Sequence, residues 1–161
     1  TSLAVLSRFS LDFDARKFTL LTLAKLYEER KMFNEAGKMM SFAADINTTF
    51  NGKINDFIRS TELFIKGGSY DDADMSFKKA LITANTSQKN EIKNRVKEMY
   101  KVQAKEHLSN DKRKNALEAY EKLLTLELNS IEKEEVKSKL LNLYESLGKV
   151  REFYNMKKSI M

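Results

Sequence analysis

The chain has no cysteine, no proline and no tryptophan, one histidine, and five glycines in 161 residues. Without cysteine there is no disulfide, no thiolate metal site and no cysteine nucleophile. A single histidine, His107, rules out a multi-histidine metal site and a two-histidine acid/base pair. Without proline, nothing removes a helical hydrogen bond anywhere along the chain. No apolar run reaches the length of a membrane span, since Lys17 and Lys25 interrupt the longest stretch near the start. No basic segment followed by an apolar core marks a secretory leader. Phosphate-binding glycine motifs are missing too: there is no G-x-x-x-x-G-K-[ST] and no G-x-G-x-x-G.

Charged residues make up 32% of the chain and hydrophobic ones 42%, a balance that fits a folded domain with a core rather than a disordered tail. Ala, Leu, Lys, Glu and Met are abundant, and apolar residues recur at steps of three and four. Ile92, Val96, Met99, Tyr100, Ala104, His107 and Leu108 form one such face. Leu117, Tyr120, Leu123 and Leu124 form a second, and Val136, Leu140, Leu141, Leu143, Tyr144 and Leu147 a third. No stretch alternates with period two between turn dipeptides, so no sheet is expected. Breaks fall at 47–52, Gly67-Gly68-Ser69, Asn85-Thr86-Ser87 (with Ser87 as the expected cap), Ser109-Asn110-Asp111, Asn129-Ser130 and Gly148. The expected fold is all-α. It has a short helix at about 2–9, then helices at about 13–31, 34–46, 52–66, 70–85, 88–109, 112–127, 131–147 and 149–160. Short connections predict antiparallel neighbours.

The helices pair, and the pairs resemble one another. Leu20, Leu23, Ala24 and Tyr27 precede Phe33, Ala36, Met40 and Ala43. Phe57, Thr61 and Phe64 precede Tyr70, Ala73, Phe77 and Ala80. Tyr100, Ala104 and His107 precede Ala116, Tyr120 and Leu123. Leu141 and Tyr144 precede Val150, Phe153 and Ile160. The anchors Ala36, Ala73, Ala116 and Phe153 are 37, 43 and 37 residues apart. A small residue at a helix crossing with aromatics on either side suits a stacked helix–turn–helix array. The predicted pairs are 13–46, 52–85, 88–127 and 131–160, within one helical-repeat domain over 1–161.

These residues resemble tetratricopeptide repeats, best in AKLYEERKMFNEA (24–36), GGSYDDADMSFKKAL (67–81) and NALEAYEKLL (115–124). The chain departs from that family in its longer spacing, in lacking the terminal proline of each repeat, and in the start of each first helix. The uneven repeats are also similar to the helical arrays of the soluble attachment proteins of membrane fusion. The resemblance implies an α-solenoid whose first helices line a concave binding face.

On that face the reading places Leu21, Lys25, Glu28, Ile58, Glu62, Ile65, Lys101 and Lys105. Lys25, Lys101 and Lys105 would steer acidic groups, and Leu21, Ile58 and Ile65 would supply apolar contact. Leu21 and Ile58 interrupt the Lys/Asn pattern of the family's carboxylate clamp, so that clamp is not expected. A second feature is local charge. Residues 1–80 carry 12 basic and 11 acidic side chains, whereas 89–114 alone carries nine basic and four acidic. Lys89, Lys93, Lys97, Lys101 and Lys105 recur every four residues, and Arg95, Lys112, Arg113 and Lys114 lie nearby. Steps of four drift by about 40° each, so the row winds slowly round one helix.

Asp71, Asp72 and Asp74 fall at a helix start, where negative charge meets the dipole, and Glu28-Glu29 and Glu134-Glu135 are further carboxylate pairs without a base. His107 takes the slot that Tyr27 and Phe64 hold in other pairs and reads as a core residue. Met32, Met39, Met40, Met75 and Met99 read as core filling. Apolar Leu3, Val5, Leu6, Phe9, Met156 and Met161 at the two ends suggest a fragment of a longer chain or end-to-end self-association.

The expectation is a cytoplasmic, non-catalytic module that binds a peptide or helix of another protein, with no cofactor, no metal and no transmembrane segment. The alternatives are a nucleic-acid or anionic-surface binder working through 89–114, and a membrane-trafficking adaptor of the attachment-protein kind.

Overall fold

The computed structural model describes residues 2–160, with side chains described from residue 12 onward. The expected apolar character of Leu3, Val5, Leu6, Phe9 and Met161 lies outside the described side chains. Among the described residues there are eight α-helices and no strand: α1 (Ser2–Glu29), α2 (Phe33–Ile46), α3 (Phe50–Lys66), α4 (Tyr70–Thr83), α5 (Thr86–Ser109), α6 (Arg113–Leu124), α7 (Ser130–Ser146) and α8 (Val150–Ile160). No helix among them is long and apolar enough to cross a membrane. The expected short helix at 2–9 and the helix after it are one element, α1, because Ser10-Leu11-Asp12 contains neither glycine nor proline to stop it. The helix expected at 112–127 ends at Leu124.

The helices join in pairs through a recurring turn. Lys31, Gly68, Asp111 and Gly148 adopt positive φ of 59°, 75°, 56° and 70°. The residue after each donates its N–H back to the carbonyl five residues earlier: Met32 to Tyr27 (2.8 Å), Ser69 to Phe64 (2.9 Å), Lys112 to His107 (2.8 Å) and Lys149 to Tyr144 (2.8 Å). That bond satisfies one of the orphan carbonyls at a helix end and sets the reversal of the chain. The acceptors are the aromatic-slot residues of the sequence repeat, so His107 stands structurally where Tyr27, Phe64 and Tyr144 stand.

Starts alternate as well. The first helices of later pairs begin on side-chain caps. Thr49 accepts from Gly52 N–H (3.0 Å), while Asn85 exchanges bonds with Gln88 (2.9 and 3.0 Å) and Asn129 with Glu132 (2.8 and 3.2 Å). The cap of α5 is therefore Asn85 rather than Ser87. Second helices α2, α4 and α6 begin without a side-chain cap bond.

The described chain forms two compact units, residues 1–92 and 93–161. In the first, α1 packs on α2, α2 on α3 and α3 on α4. Asn34 at the start of α2 donates to the carbonyl of Gly67 at the end of α3 (3.2 Å), so those two helices run antiparallel. Ala24, Ala36, Met40 and Leu63 form a core cluster against which Tyr27, Phe33 and Met39 pack. The crossing of α2, α3 and α4 is built from small residues. Ser60 donates to the carbonyl of Gly37 (2.9 Å), which leaves the hydroxyl of Ser76 to donate to Ser60 (2.9 Å). A Cβ on Gly37 would stand 2.9 Å from the buried ring of Phe64, so only glycine lets the helices approach this closely.

In the second unit α6 packs on α7 and α7 on α8. Its core is made of Val96, Tyr100, Leu117, Tyr120, Leu123, Val136, Leu140, Leu143 and Tyr144, with Ala104, Ala116 and Ala119 between them.

Candidate functional site

The sequence singled out a face on the first helices and a basic row, and neither is arranged as expected. In the first unit, Leu21 (38% exposed) and Lys25 lie on the outer surface of α1. Ile58 and Ile65 do not share that surface. They are 3% and 1% exposed, because α3 is covered by α2 and α4 and turns both isoleucines inward. No partner can touch them, which corrects their expected role as apolar contacts. Glu28 and Glu62 converge on Arg59, a residue the sequence reading passed over. The Arg59 guanidinium bonds Glu28 across from α1 and Glu62 within α3 (3.0 Å), and Lys66 reaches Glu62 from one turn on (3.5 Å). Burial works against the Arg59 charge, yet the bonds to the two carboxylates outweigh it and raise its pKa. The spacing of Arg59, Glu62 and Lys66 at three and four was the available signal.

A second feature of this unit is a cleft of about 140 Å³ between α2 and α4. Phe42 (52% exposed) and Met75 (59% exposed) stand on its two sides, and Phe64, Ser41 and Ser76 also line it. Lys38, Lys79 and Asp72 stand at its rim. Lys79 is fixed by Asp45 (3.6 Å) and lies 5.6 Å over the ring of Phe57, and Asp72 accepts from Ser69 (2.6 Å). Met75 was expected in the core, as was Met32. Both are exposed, while Met40 is buried and Met39 and Met99 are half-buried. The core face of α4 runs through Ala73, Ser76 and Ala80 and leaves position 75 outside.

In the second unit the lysine row is largely engaged. Lys93 reaches Glu127 (3.2 Å), Lys97 reaches Glu132 (3.0 Å), and Lys101 bonds both Glu132 and Glu98 (3.2 Å to the latter). Glu132 is also the third residue of the capping box of α7, so one carboxylate is held by two lysines and by the Asn129 N–H. These bonds, that of Lys101 foremost, hold its carboxyl down to about 2, and the same pair raises the pKa of Lys101. Arg113 pairs with Asp111 (3.2 Å), both exposed. Arg95, Lys105, Lys112 and Lys114 are exposed and form no ion pair among the described residues of this unit. The same holds for Lys89 in the first unit. Lys101 and Lys105 thus belong to the second unit, whereas Leu21, Lys25, Glu28 and Glu62 belong to the first.

The titratable groups buried in the second unit have structural explanations. His107 is half-buried with its ring nitrogen 3.0 Å from the Gln103 amide. Burial, and then the charge of Lys112, lowers its pKa. Burial raises Tyr120 and pushes Tyr144 up to about 12, where its hydroxyl also donates to Glu121 (3.1 Å). No group of three or more metal-ligating side chains occurs among the described residues. Comparison with protein-family models, with curated proteins and with solved structures finds no match for this chain.

Proposed function

We propose that the chain is a non-catalytic interaction module that receives an apolar side chain of another protein in the cleft between α2 and α4. The observation that carries this reading is the pair Phe42 and Met75, both more than half exposed on either side of an opening floored by Phe64. A cavity of about 150 Å³ holds a benzene-sized group, so this cleft suits one aromatic or branched aliphatic anchor. Methionine and phenylalanine around a rim of both charge signs match the anatomy of a protein interface, with an apolar centre and a polar border. The array itself is read as tetratricopeptide-like, supported by the turn that recurs at Lys31, Gly68, Asp111 and Gly148. The cleft, lined by second helices, replaces the expected concave face as the preferred site, because Ile58 and Ile65 are in the core and Glu28 and Glu62 are spent on Arg59. Binding of nucleic acid or another polyanion through 89–114 has less support, since carboxylates already occupy Lys93, Lys97 and Lys101.

A displayed library of helical peptides, selected on the folded chain, tests the proposal. Enriched peptides are expected to share one large apolar anchor. Phe42→Ala and Met75→Ala should each weaken their binding about tenfold, the scale of a central interface residue. Peptides that bind both variants as tightly as the parent chain, or a library that yields none, would overturn it.

A further inference from the structure

The outer surface of α1 points to a second copy of this chain. Asp14, Phe18, Leu21 and Lys25 follow one another at steps of four, three and four, the spacing of a coiled-coil seam. At 3.6 residues per turn they lie within about 60° of one another round the helix. All four are exposed, Phe18 at 72%, on a strip of α1 about 90° round the helix from Ala24, which packs into the core.

Two other charges on the core-facing edge of this seam are satisfied internally, while Glu29, one turn beyond Lys25, is exposed. Lys17 reaches Asp56 (3.7 Å) and Glu28 bonds Arg59. Asp14 and Lys25 form no ion pair among the described residues. Thr22, beside the seam, donates its hydroxyl to the Phe18 carbonyl (2.8 Å), and Thr19 donates to Ala15 (2.9 Å), so neither hydroxyl seeks a partner outside the helix.

The order of the four residues reads charge, apolar, apolar, opposite charge, and it is symmetric about the midpoint between Thr19 and Leu20. Turned end for end, the seam complements itself. Asp14 meets the partner's Lys25, Phe18 meets the partner's Leu21, and each contact occurs twice about a two-fold axis. We propose that α1 pairs antiparallel with α1 of a second copy through this seam. With two apolar side chains per copy at its centre, the pairing is weak and concentration-dependent rather than obligate. It is separate from the cleft between α2 and α4 and does not depend on the function proposed for that cleft.

Sedimentation equilibrium over a concentration series, with the full chain, tests this directly. The parent chain is expected to pass from monomer to dimer within the series. Asp14→Lys and Lys25→Asp, each of which sets two like-charge contacts against each other, should weaken the dimer about tenfold. The double variant Asp14→Lys/Lys25→Asp should restore it, and that recovery also shows that the single variants remain foldable. Helicity by circular dichroism should be unchanged in all three, since the positions are exposed. A chain that is monomeric throughout the series overturns the proposal. So does a dimer that neither single exchange weakens, or a double variant that stays as weak as the singles. Phe42→Ala should leave the dimer intact, so failure at the cleft and failure at the seam read out separately.

Discussion

The two units solve the same packing problem with different materials. In the first, helices approach closely because the crossing residues are small: Ala36, Gly37, Ser60, Ala73, Ser76 and Ala80. The polar groups that this proximity buries are tied to one another through Ser60. In the second, the position after the anchor alanine is Leu117, buried at 4%, where the first unit has Gly37 after Ala36. There the helices are held by tyrosine and leucine inside, and by a carboxylate gripped by two lysines outside. Close backbone approach at Gly37 demands glycine, whereas the matching site in the second unit is filled by the buried Leu117. The same repeat register therefore tolerates opposite residues at one position.

Exchanging those two residues gives the largest expected effects. Leu117→Gly removes a buried side chain and puts glycine inside α6, so it should cost about 3–5 kcal/mol, combining a core cavity with lost helix propensity. Gly37→Leu should cost about 2–3 kcal/mol, because even its Cβ would stand 2.9 Å from the Phe64 ring, which is itself buried. Urea unfolding of both variants measures this. If Gly37→Leu were as stable as the parent, the close crossing of α2 with α3 would be wrong.

The carboxylate of the second unit gives a smaller effect with a pH signature. Glu132 has its pKa held at about 2 against an ordinary 4.5. A depressed carboxyl contributes stability that is complete above its unfolded pKa and is lost as the pH falls through the folded one. The contribution of Glu132 should therefore fade between about pH 4.5 and pH 2. Glu132→Gln should cost about 1–2 kcal/mol at neutral pH, allowing for solvent screening of a pair near the surface. The gap between parent and variant should close on acidification through that window. A gap that is constant from neutral to acid would mean that the two lysines do not stabilise the fold.

This contrast also separates what could be read in the sequence from what could not. The pairing of helices was legible, because Ala36, Ala73, Ala116 and Phe153 mark a register that the turns at Lys31, Gly68, Asp111 and Gly148 repeat with the same 37, 43 and 37 spacing. Each such signal is local to one turn. The fate of Ile58 and Ile65 was not legible, since α3 is enclosed by α2 and α4, and helical periodicity gives a face without saying how many neighbours cover it. Lys97 and Lys101 read as a free basic row because the carboxylate that holds them, Glu132, comes from a helix more than thirty residues away. Met75 was hidden by the opposite error, since its apolar type suggested core, and Phe42 was not singled out, although the buried positions of α2 and α4 leave both outside. The fold was set by short-range pattern, and the site by which long-range neighbours arrive.

The four turns offer the finest test of that shared register. Gly68 and Gly148 occupy the left-handed position without strain, and a Cβ there would meet nothing within 4 Å. Lys31 and Asp111 hold the same φ with side chains that disfavour it. Lys31→Gly should therefore stabilise the first unit by about 0.5–1 kcal/mol, the relief of the left-handed strain less the entropy glycine adds to the unfolded chain. Asp111→Gly should do slightly less, because an aspartate tolerates this region better than lysine does and because its pair with Arg113 is lost. That pair is exposed on both sides and worth only a few tenths of a kcal/mol, so the sign should hold. Gly68→Ala should reverse it, costing about 1 kcal/mol through backbone conformation alone. Thermal unfolding of the three variants measures the set. If Lys31→Gly destabilises while Gly68→Ala is neutral, the two turns do not share one geometry, and the repeat ends at the level of sequence spacing.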